Sequence, residues 1–243
     1  MKQRLDQTVV ALGLVSTRSQ AENYIKLGEV KVDGSIITKP GYLVSDEHKI
    51  VLTAKEQYVS RAALKLASVA EMLHLNFQGK TMLDVGSSTG GFTEYALRHG
   101  ARKVIAVEVG TNQMHRSLRD DPHIELHEKT DIRDFATDQP IDLAVADVSF
   151  ISLREILPSV ARLVSPRADI IVMVKPQFEA GTSSFKHKGV IKNDRMRRDI
   201  LKDFEQWAKD KFVIVDKADS LVAGAKGNQE RFYRLRKLPS GNS

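Results

Sequence analysis

The sequence predicts an α/β protein: a doubly wound, mostly parallel sheet with an antiparallel last strand, preceded by a small α+β module. Three observations predict it. From about residue 60, short apolar runs alternate with amphipathic helical stretches, as in parallel strands joined by crossover helices. A glycine-rich turn follows the first of those runs and opens a helix. Before residue 53 the pattern differs, with two short helical patterns and an Asp-Gly turn between apolar runs, a strong hairpin signal.

The first module reads as follows. Arg4-Leu5-Asp6 opens a helix with Leu5, Val9 and Leu12 on one face, and Gly13 stops it. Ser16 or Thr17 caps a second helix, Arg18 to Leu27, with Ala21, Tyr24 and Ile25 inward, and Gly28 ends it. Val30-Lys31-Val32, the Asp33-Gly34 turn and Ile36-Ile37 form the hairpin. After a Pro40-Gly41 turn, Lys49 to Leu52 is a last strand. The domain bounds predicted are 1–53, a polar linker over 54–59 of the kind found in a loosely coupled joint, 60–238, and a disordered tail over 239–243.

In the larger domain a helix spans roughly Ser60 to Leu73. Strands follow at Thr81–Val85, Lys103–Val109, Ile124–His127, Leu143–Asp147, Ile170–Lys175, Phe212–Lys217 and Arg231–Leu235. Helices lie at Gly91–His99, Leu153–Leu163 and Met196–Asp210.

Composition narrows the function. A charge of +6 and a pI of about 9.4 suit a polyanionic partner, because Lys and Arg displace counterions from phosphates, although many globular proteins carry such a charge for solubility alone. Aromatics are only 6%, too few to stack many exposed bases. The absence of cysteine excludes disulfides, thiolate metal sites and a cysteine nucleophile, and fits a reducing cytoplasm. No metal is expected. Met1 to Gln7 is too polar for a signal peptide, and no apolar run reaches a membrane span.

The cofactor is named by Leu83-Asp84-Val85-Gly86-Ser87-Ser88-Thr89-Gly90-Gly91-Phe92. Glycines there let a ligand approach the backbone beside an electropositive helix start. The turn is not the Gly-x-Gly-x-x-Gly of dinucleotide enzymes. It is similar to the first motif of Rossmann-like methyltransferases, and this resemblance implies that Asp84, Gly86, Ser88, Gly90, Gly91 and Phe92 bind S-adenosylmethionine. Glu108 ends the second strand, about twenty residues on, where a carboxylate accepts from both ribose hydroxyls. Asp131, after the third strand, either reads the adenine edge or caps a helix.

Four ionisable residues carry the chemistry. Asp147 and Lys175 end adjacent strands, and ligands of such sheets sit outside the carboxyl ends. Glu230 joins them if the last strand is antiparallel, and Lys65 lies on the helix before the first strand. Lys175 follows five apolar residues, so it is enclosed and needs carboxylate partners or a lowered pKa. Asp147, which also borders the cofactor, and Glu230 would hold it, with Lys65 adjacent. A lysine so poised can orient, or deprotonate, a weakly acidic hydroxyl.

This Lys-Asp-Lys-Glu set resembles that of the FtsJ-type ribose 2′-O-methyltransferases. Arg4-Leu5-Asp6, Val59-Ser60-Arg61, the run Asp84 to Thr93, Asp147-Val148-Ser149-Phe150-Ile151-Ser152-Leu153 and Val174-Lys175-Pro176-Gln177-Phe178-Glu179-Ala180 resemble the TlyA family over nearly the whole chain. The resemblance implies an N-terminal RNA-binding domain of the ribosomal-protein α-L type and methylation of cytidine 2′-oxygens in ribosomal RNA or ribosomal subunits. The family is also labelled hemolysin. One departure stands out: Ala62-Ala63 replace the family's Gly-Gly before Lys65, so the helix is expected to begin earlier here.

The RNA surface is read as Arg4, Arg18, Ser19, Gln20, Lys26, Lys31 and Arg61, with Arg18-Ser19 at a helix start suited to a phosphate. A second basic run, Lys186, Lys188, Lys192, Arg195, Arg197 and Arg198, follows a glycine-bounded flap at Gly181–Gly189. Two other readings compete. A membrane-damaging hemolysin is disfavoured, because the sequence shows no signal peptide, no spanning helix and no amphipathic membrane helix. An RNA-binding factor that has lost catalysis is disfavoured by Asp147, Lys175 and Glu230 together. A monomer is expected, since each domain reads as self-sufficient.

Overall fold

The structure is a computed structural model that describes residues 2–15, 17–54, 58–180, 190–191, 193–224 and 227–239. Ser16 as a cap, the centre of the linker, the 181–189 flap with Lys186 and Lys188, Lys192, and residues 240–243 of the tail lie outside the described residues.

The N-terminal module comprises β1 (Gln3–Arg4), α1 (Leu5–Ala11), α2 (Arg18–Lys26), β2 (Val30–Val32), β3 (Ser35–Ile36), β4 (Leu43–Val44) and β5 (Ile50–Leu52). Thr17 caps α2 through a capping box: its hydroxyl accepts from the Gln20 amide, and the Gln20 side chain accepts from the Thr17 amide. Asp33 and Gly34 both have positive φ, 50° and 83°, as a two-residue hairpin turn demands. The hairpin forms the β3-β2-β5 sheet, and β1 pairs with β4 apart from it. Leu12 does not join Leu5 and Val9 inside. The helix stops at Ala11, so Leu12 falls on the cap and is exposed.

The larger domain follows as α3 (Arg61–Ala70), β6 (Thr81–Val85), α4 (Gly91–Arg98), β7 (Lys103–Val107), α5 (Arg116–Arg119), β8 (Ile124–His127), β9 (Ile141–Ala146), α6 (Leu153–Leu163), β10 (Val164–Val174), α7 (Pro176–Glu179), α8 (Asp194–Lys209), β11 (Phe212–Asp219) and β12 (Arg231–Lys237). Its seven-stranded sheet has the order β11-β12-β10-β9-β6-β7-β8, with β12 antiparallel to both neighbours. The chain winds outward from β6 through β7 to β8, then returns to β9 on the other side. The strand order therefore reverses between β6 and β9, where such sheets open a ligand crevice.

Apolar side chains cover both faces. Leu157, Val160 and Phe204 of α6 and α8 pack one face, and Leu66, Val69 and Ala96 of α3 and α4 the other. The second cluster continues into the N-terminal module through Tyr58 to Tyr24 and Leu5. The joint is therefore tighter than its polar linker suggested. Glu94 accepts a hydrogen bond from the Val59 amide at 2.6 Å, and the Arg98 guanidinium lies 5.0 Å from the Tyr58 ring centroid.

Candidate active site

A cleft of about 400 Å³ opens at the carboxyl edge of β6, β7 and β9, lined among others by Gly86, Ser88, Glu108, Asp131 and Asp147. Gly86 has φ +77°, and a Cβ there would come 2.8 Å from the Asp147 main-chain oxygen. The β6 turn and the end of β9 thus touch, and only glycine fits between them. Glu108 is buried and fastens the turn. Its carboxylate accepts from the Ser88 amide at 3.0 Å and the Gly110 amide at 2.7 Å, which leaves lone pairs free.

The remaining loop residues divide. Asp84 is 1% exposed and lies beneath the turn. It accepts from the Thr93 hydroxyl at 2.6 Å, while its Oδ1 has no hydrogen-bond partner. Burial, opposed by the Thr93 hydrogen bond, pushes its pKa up to about 7. Three further residues expected at the cofactor do not line the cleft. Phe92, on the first turn of α4, points into the core and meets Phe232 at 6.1 Å between centroids. A Cβ on Gly90 would strike Leu118 at 2.6 Å, and one on Gly91 would strike Ser60 and the Ala63 amide. The lack of a side chain at these glycines lets α5 and α3 pack close.

Asp131 lines the cleft but caps no helix. It accepts from the Arg133 amide at 2.9 Å and pairs with the guanidinium at 2.7 Å. The hydrogen bonds from Arg133 hold its carboxyl below the usual range.

The four candidate catalytic residues form two ion pairs. Lys175 Nζ is 2.5 Å from Asp147 Oδ1, and Lys65 Nζ is 2.5 Å from Glu230 Oε2. Glu230 therefore holds Lys65, not Lys175 as expected. The β10–β12 register, Val174 against Arg231, does bring Glu230 level with Lys175. The glutamate is claimed by Lys65, which α3 lays over that sheet edge. Alanines 62 and 63 do not displace it: α3 starts at Arg61, and Lys65 is buried.

Several residues carry no sequence signal for their roles. Lys175 also donates to Ser149 Oγ at 2.8 Å. Glu179 accepts from the Leu153 amide and the Ser152 hydroxyl, tying α7 to the start of α6. Phe150, on the cleft wall, is 93% exposed at φ +68°, with its ring 5.2 Å from that of Phe178. Only the aromatic letters within the two motifs could have drawn attention to that pair.

In the N-terminal module Arg4 and Arg18 are structural as well as basic. Both donate to the buried Asp6, at 2.8 Å and 2.9 Å. Gln20 serves its capping box, while Lys26 is exposed and Lys31 half-buried. Arg61 faces Ser19 across the domain junction.

Residues 58–237 match the FtsJ-like methyltransferase family, and residues 3–50 match the S4 domain. The chain is 38% identical, over 96% of its length and 89% of the relative's, to the 16S/23S rRNA (cytidine-2′-O)-methyltransferase TlyA of Mycobacterium tuberculosis. It is 42% identical, over 79% of its length and 75% of the relative's, to the 23S rRNA (cytidine-2′-O)-methyltransferase TlyA of Campylobacter jejuni. A solved structure from Streptococcus thermophilus, provisionally described as a hemolysin, superposes with a TM-score of 0.73 at 34% identity, covering 98% of this chain and 90% of that one.

Proposed function

The chain belongs to the TlyA family of FtsJ-like methyltransferases, and on that premise we propose that it methylates a ribose 2′-oxygen of ribosomal RNA, with S-adenosylmethionine as donor. The observation that carries this reading is the Lys175–Asp147 pair beside the glycine turn. The residue that anchors the lysine is the same one whose main-chain oxygen closes on Gly86.

The residues in and beneath the cleft fit the donor. The unpartnered, buried Asp84 Oδ1 suits an ammonium, and the free lone pairs of Glu108 suit ribose hydroxyls. Ile132 and Val109 offer an adenine apolar walls, with Asp131 at its polar edge.

S-adenosylmethionine supplies an already electrophilic methyl group on a sulfonium, so the chain's own work is to align an oxygen and manage its charge. Asp147 holds the Lys175 ammonium as an ion pair and Ser149 takes one of its three N–H donors, which leaves a donor for the 2′-oxygen. Held beside a carboxylate, the ammonium orients that oxygen and stabilises negative charge as it develops. Phe150 presents its ring at the cleft, where a base can stack. A base-nitrogen enzyme would carry Asn/Asp-Pro-Pro-aromatic after β9, where this chain has Asp147-Val148-Ser149-Phe150.

Cytidine is the nucleoside proposed, because both curated relatives are named for it. A ribosomal substrate puts the protein in the cytoplasm, and no described helix is long and apolar enough to cross a membrane. The test is mass spectrometry of nucleosides from ribosomal subunits treated with enzyme and S-adenosylmethionine, using subunits from a strain lacking the gene. 2′-O-Methylcytidine is expected. A base-methylated nucleoside, or no modified nucleoside, would overturn the reading.

A further inference from the structure

Two segments run side by side at the active site. One leaves β9 and carries Asp147, Ser149, Phe150 and Ser152 to the start of α6. The other leaves β10 and carries Lys175, Phe178 and Glu179 through α7. They meet at three rungs. At the first, Lys175 pairs with Asp147 at 2.5 Å and donates to Ser149 Oγ at 2.8 Å. At the second, the Phe178 ring lies 5.2 Å from that of Phe150, and the Lys175 ammonium lies 5.9 Å from the Phe178 centroid. At the third, one Glu179 oxygen accepts from the Leu153 amide at 2.7 Å and the other from the Ser152 hydroxyl at 2.6 Å.

The third rung is anchored in the body of the domain. The Glu179 side chain is 1% exposed and sits at the N-terminus of α6, where the Leu153 amide has no intrahelical acceptor and the helix dipole favours an anion. Arg154 stands 3.7 Å away, itself paired with Asp203 of α8 at 2.6 Å and 5.8 Å from the Trp207 centroid. Burial pushes the Glu179 carboxyl above its usual range, so the position is filled at a cost that packing alone does not require. Neither segment holds its shape unaided. α7 is a single turn, too short to be stable alone. Phe150 has φ +68°, which an aromatic residue keeps only where its surroundings impose it.

We infer that Glu179 is a positioning residue for methyl transfer: by pinning α7 to the start of α6 it fixes the register of the two segments, and with it the place of the Lys175 ammonium against Asp147 and Ser149. Glu179 does not line the cleft and acts through Lys175. The inference rests on the ribose methyltransferase reading and deepens it.

The test has two readouts. Methyl transfer to ribosomal subunits lacking the modification gives kcat and KM. Trace acetylation of the full chain with acetic anhydride, read by peptide mass spectrometry, gives the accessibility of each lysine without any need for activity. Lys65 is the internal control, since its pair with Glu230 is enclosed beside a separate cleft at the domain junction. Glu179→Ala is expected to lower kcat about hundredfold, with KM for the subunits and cofactor affinity by calorimetry within about twofold of wild type. Lys175 acetylation should rise about tenfold as its segment opens locally, while Lys65 stays as protected as in wild type. Glu179→Gln keeps an acceptor for the Leu153 amide, so both readouts should return most of the way.

Unchanged kcat or unchanged Lys175 acetylation in Glu179→Ala would overturn the inference. So would a parallel rise at Lys65 and Lys175 with loss of cofactor affinity, since that is a general structural defect, or a Glu179→Gln variant as impaired as Glu179→Ala. If Glu179→Ala fails to fold, Ser152→Ala decides, because it removes one of the two ties. A several-fold fall in kcat with greater Lys175 acetylation supports the positioning role, and wild-type values of both overturn it. A wild type that transfers no methyl would sink the methyltransferase reading, and the acetylation of Lys175 against Lys65 would still decide whether Glu179 places the lysine.

Discussion

In the N-terminal module the buried Asp6 carboxylate is held by two arginines, whereas at the edge of the large sheet Asp147 meets one lysine and Glu230 another. Both regions hide an acid beside a base, and the difference lies in what the base can still do. Burial works against the charge of Asp6, but hydrogen bonds from Arg4 and Arg18 outweigh it and hold its pKa below the usual carboxylate range. Those arginines lie on the surface and never deprotonate, so the clamp is a staple for a small module. Lys175 and Lys65 are enclosed; Lys65 lines one cleft, and Asp147, the partner of Lys175, lines the other. The same pairing that fixes backbone in one region fixes a reactive donor in the other.

The comparison can be broken at several points. The largest effect is expected from Asp147→Asn, which keeps shape but removes the charge that holds Lys175. It should lower kcat by about three orders of magnitude with the melting temperature nearly unchanged, as single-turnover methyl transfer and calorimetry would show. A large loss of stability with kcat intact would reverse the roles assigned to the two regions.

Next is Asp6→Ala, expected to destabilise the N-terminal module by about 2–3 kcal/mol, because the Gln7 amide and both arginines lose a charged acceptor. Hydrogen exchange would locate the loss to residues before 53. The depressed pKa gives the pH dependence. Stability from this group is present above its unfolded pKa, near 4, and drains away as pH falls through the lower folded value. The alanine variant lacks that acid-side slope.

Asp84 sharpens the contrast with the opposite sign. Its folded pKa, about 7, is raised, so its contribution to stability is full below about pH 4 and is lost as pH rises through 7. A bound ammonium favours the ionised carboxylate. Cofactor affinity should therefore fall about tenfold per pH unit below 7 and level off above it, and Asp84→Asn should flatten the profile. Isothermal titration from pH 5.5 to 8 reads this directly.

The smallest effect is expected from Arg133→Ala. The Asp131–Arg133 pair is largely exposed, so its loss should change cofactor affinity by less than about 1 kcal/mol. A larger change would give Arg133 a part in the cleft that its position does not suggest.

Much of this was legible in the sequence because it is local. Strand, glycine turn and helix follow one another from Thr81 to Arg98, and five apolar residues run straight into Lys175, so periodicity alone sets those ends. The Asp33-Gly34 hairpin is fixed by two residues with positive φ. β1 and β4 escaped because two residues carry no period. The choice of partner escaped too. Glu230 takes Lys65 because α3 packs over the β10–β12 edge, and no spacing encodes that packing. Phe92 belonged to a ligand motif by sequence and to the core by the phase of α4. Ser19 meets Arg61 across 42 positions, a contact that exists only once two domains have docked.

Transfer of labelled methyl from S-adenosylmethionine to ribosomal subunits, followed by alkaline hydrolysis, tests the central claim most directly when wild type is set beside Lys175→Ala. A 2′-O-methyl group blocks cleavage of its own phosphodiester, so label in alkali-resistant dinucleotides identifies the acceptor oxygen. The account predicts such label with wild type and its loss with Lys175→Ala, while the variant still binds cofactor and RNA. Label that survives in the variant would contradict the role of the lysine, and label released in mononucleotides would contradict the ribose.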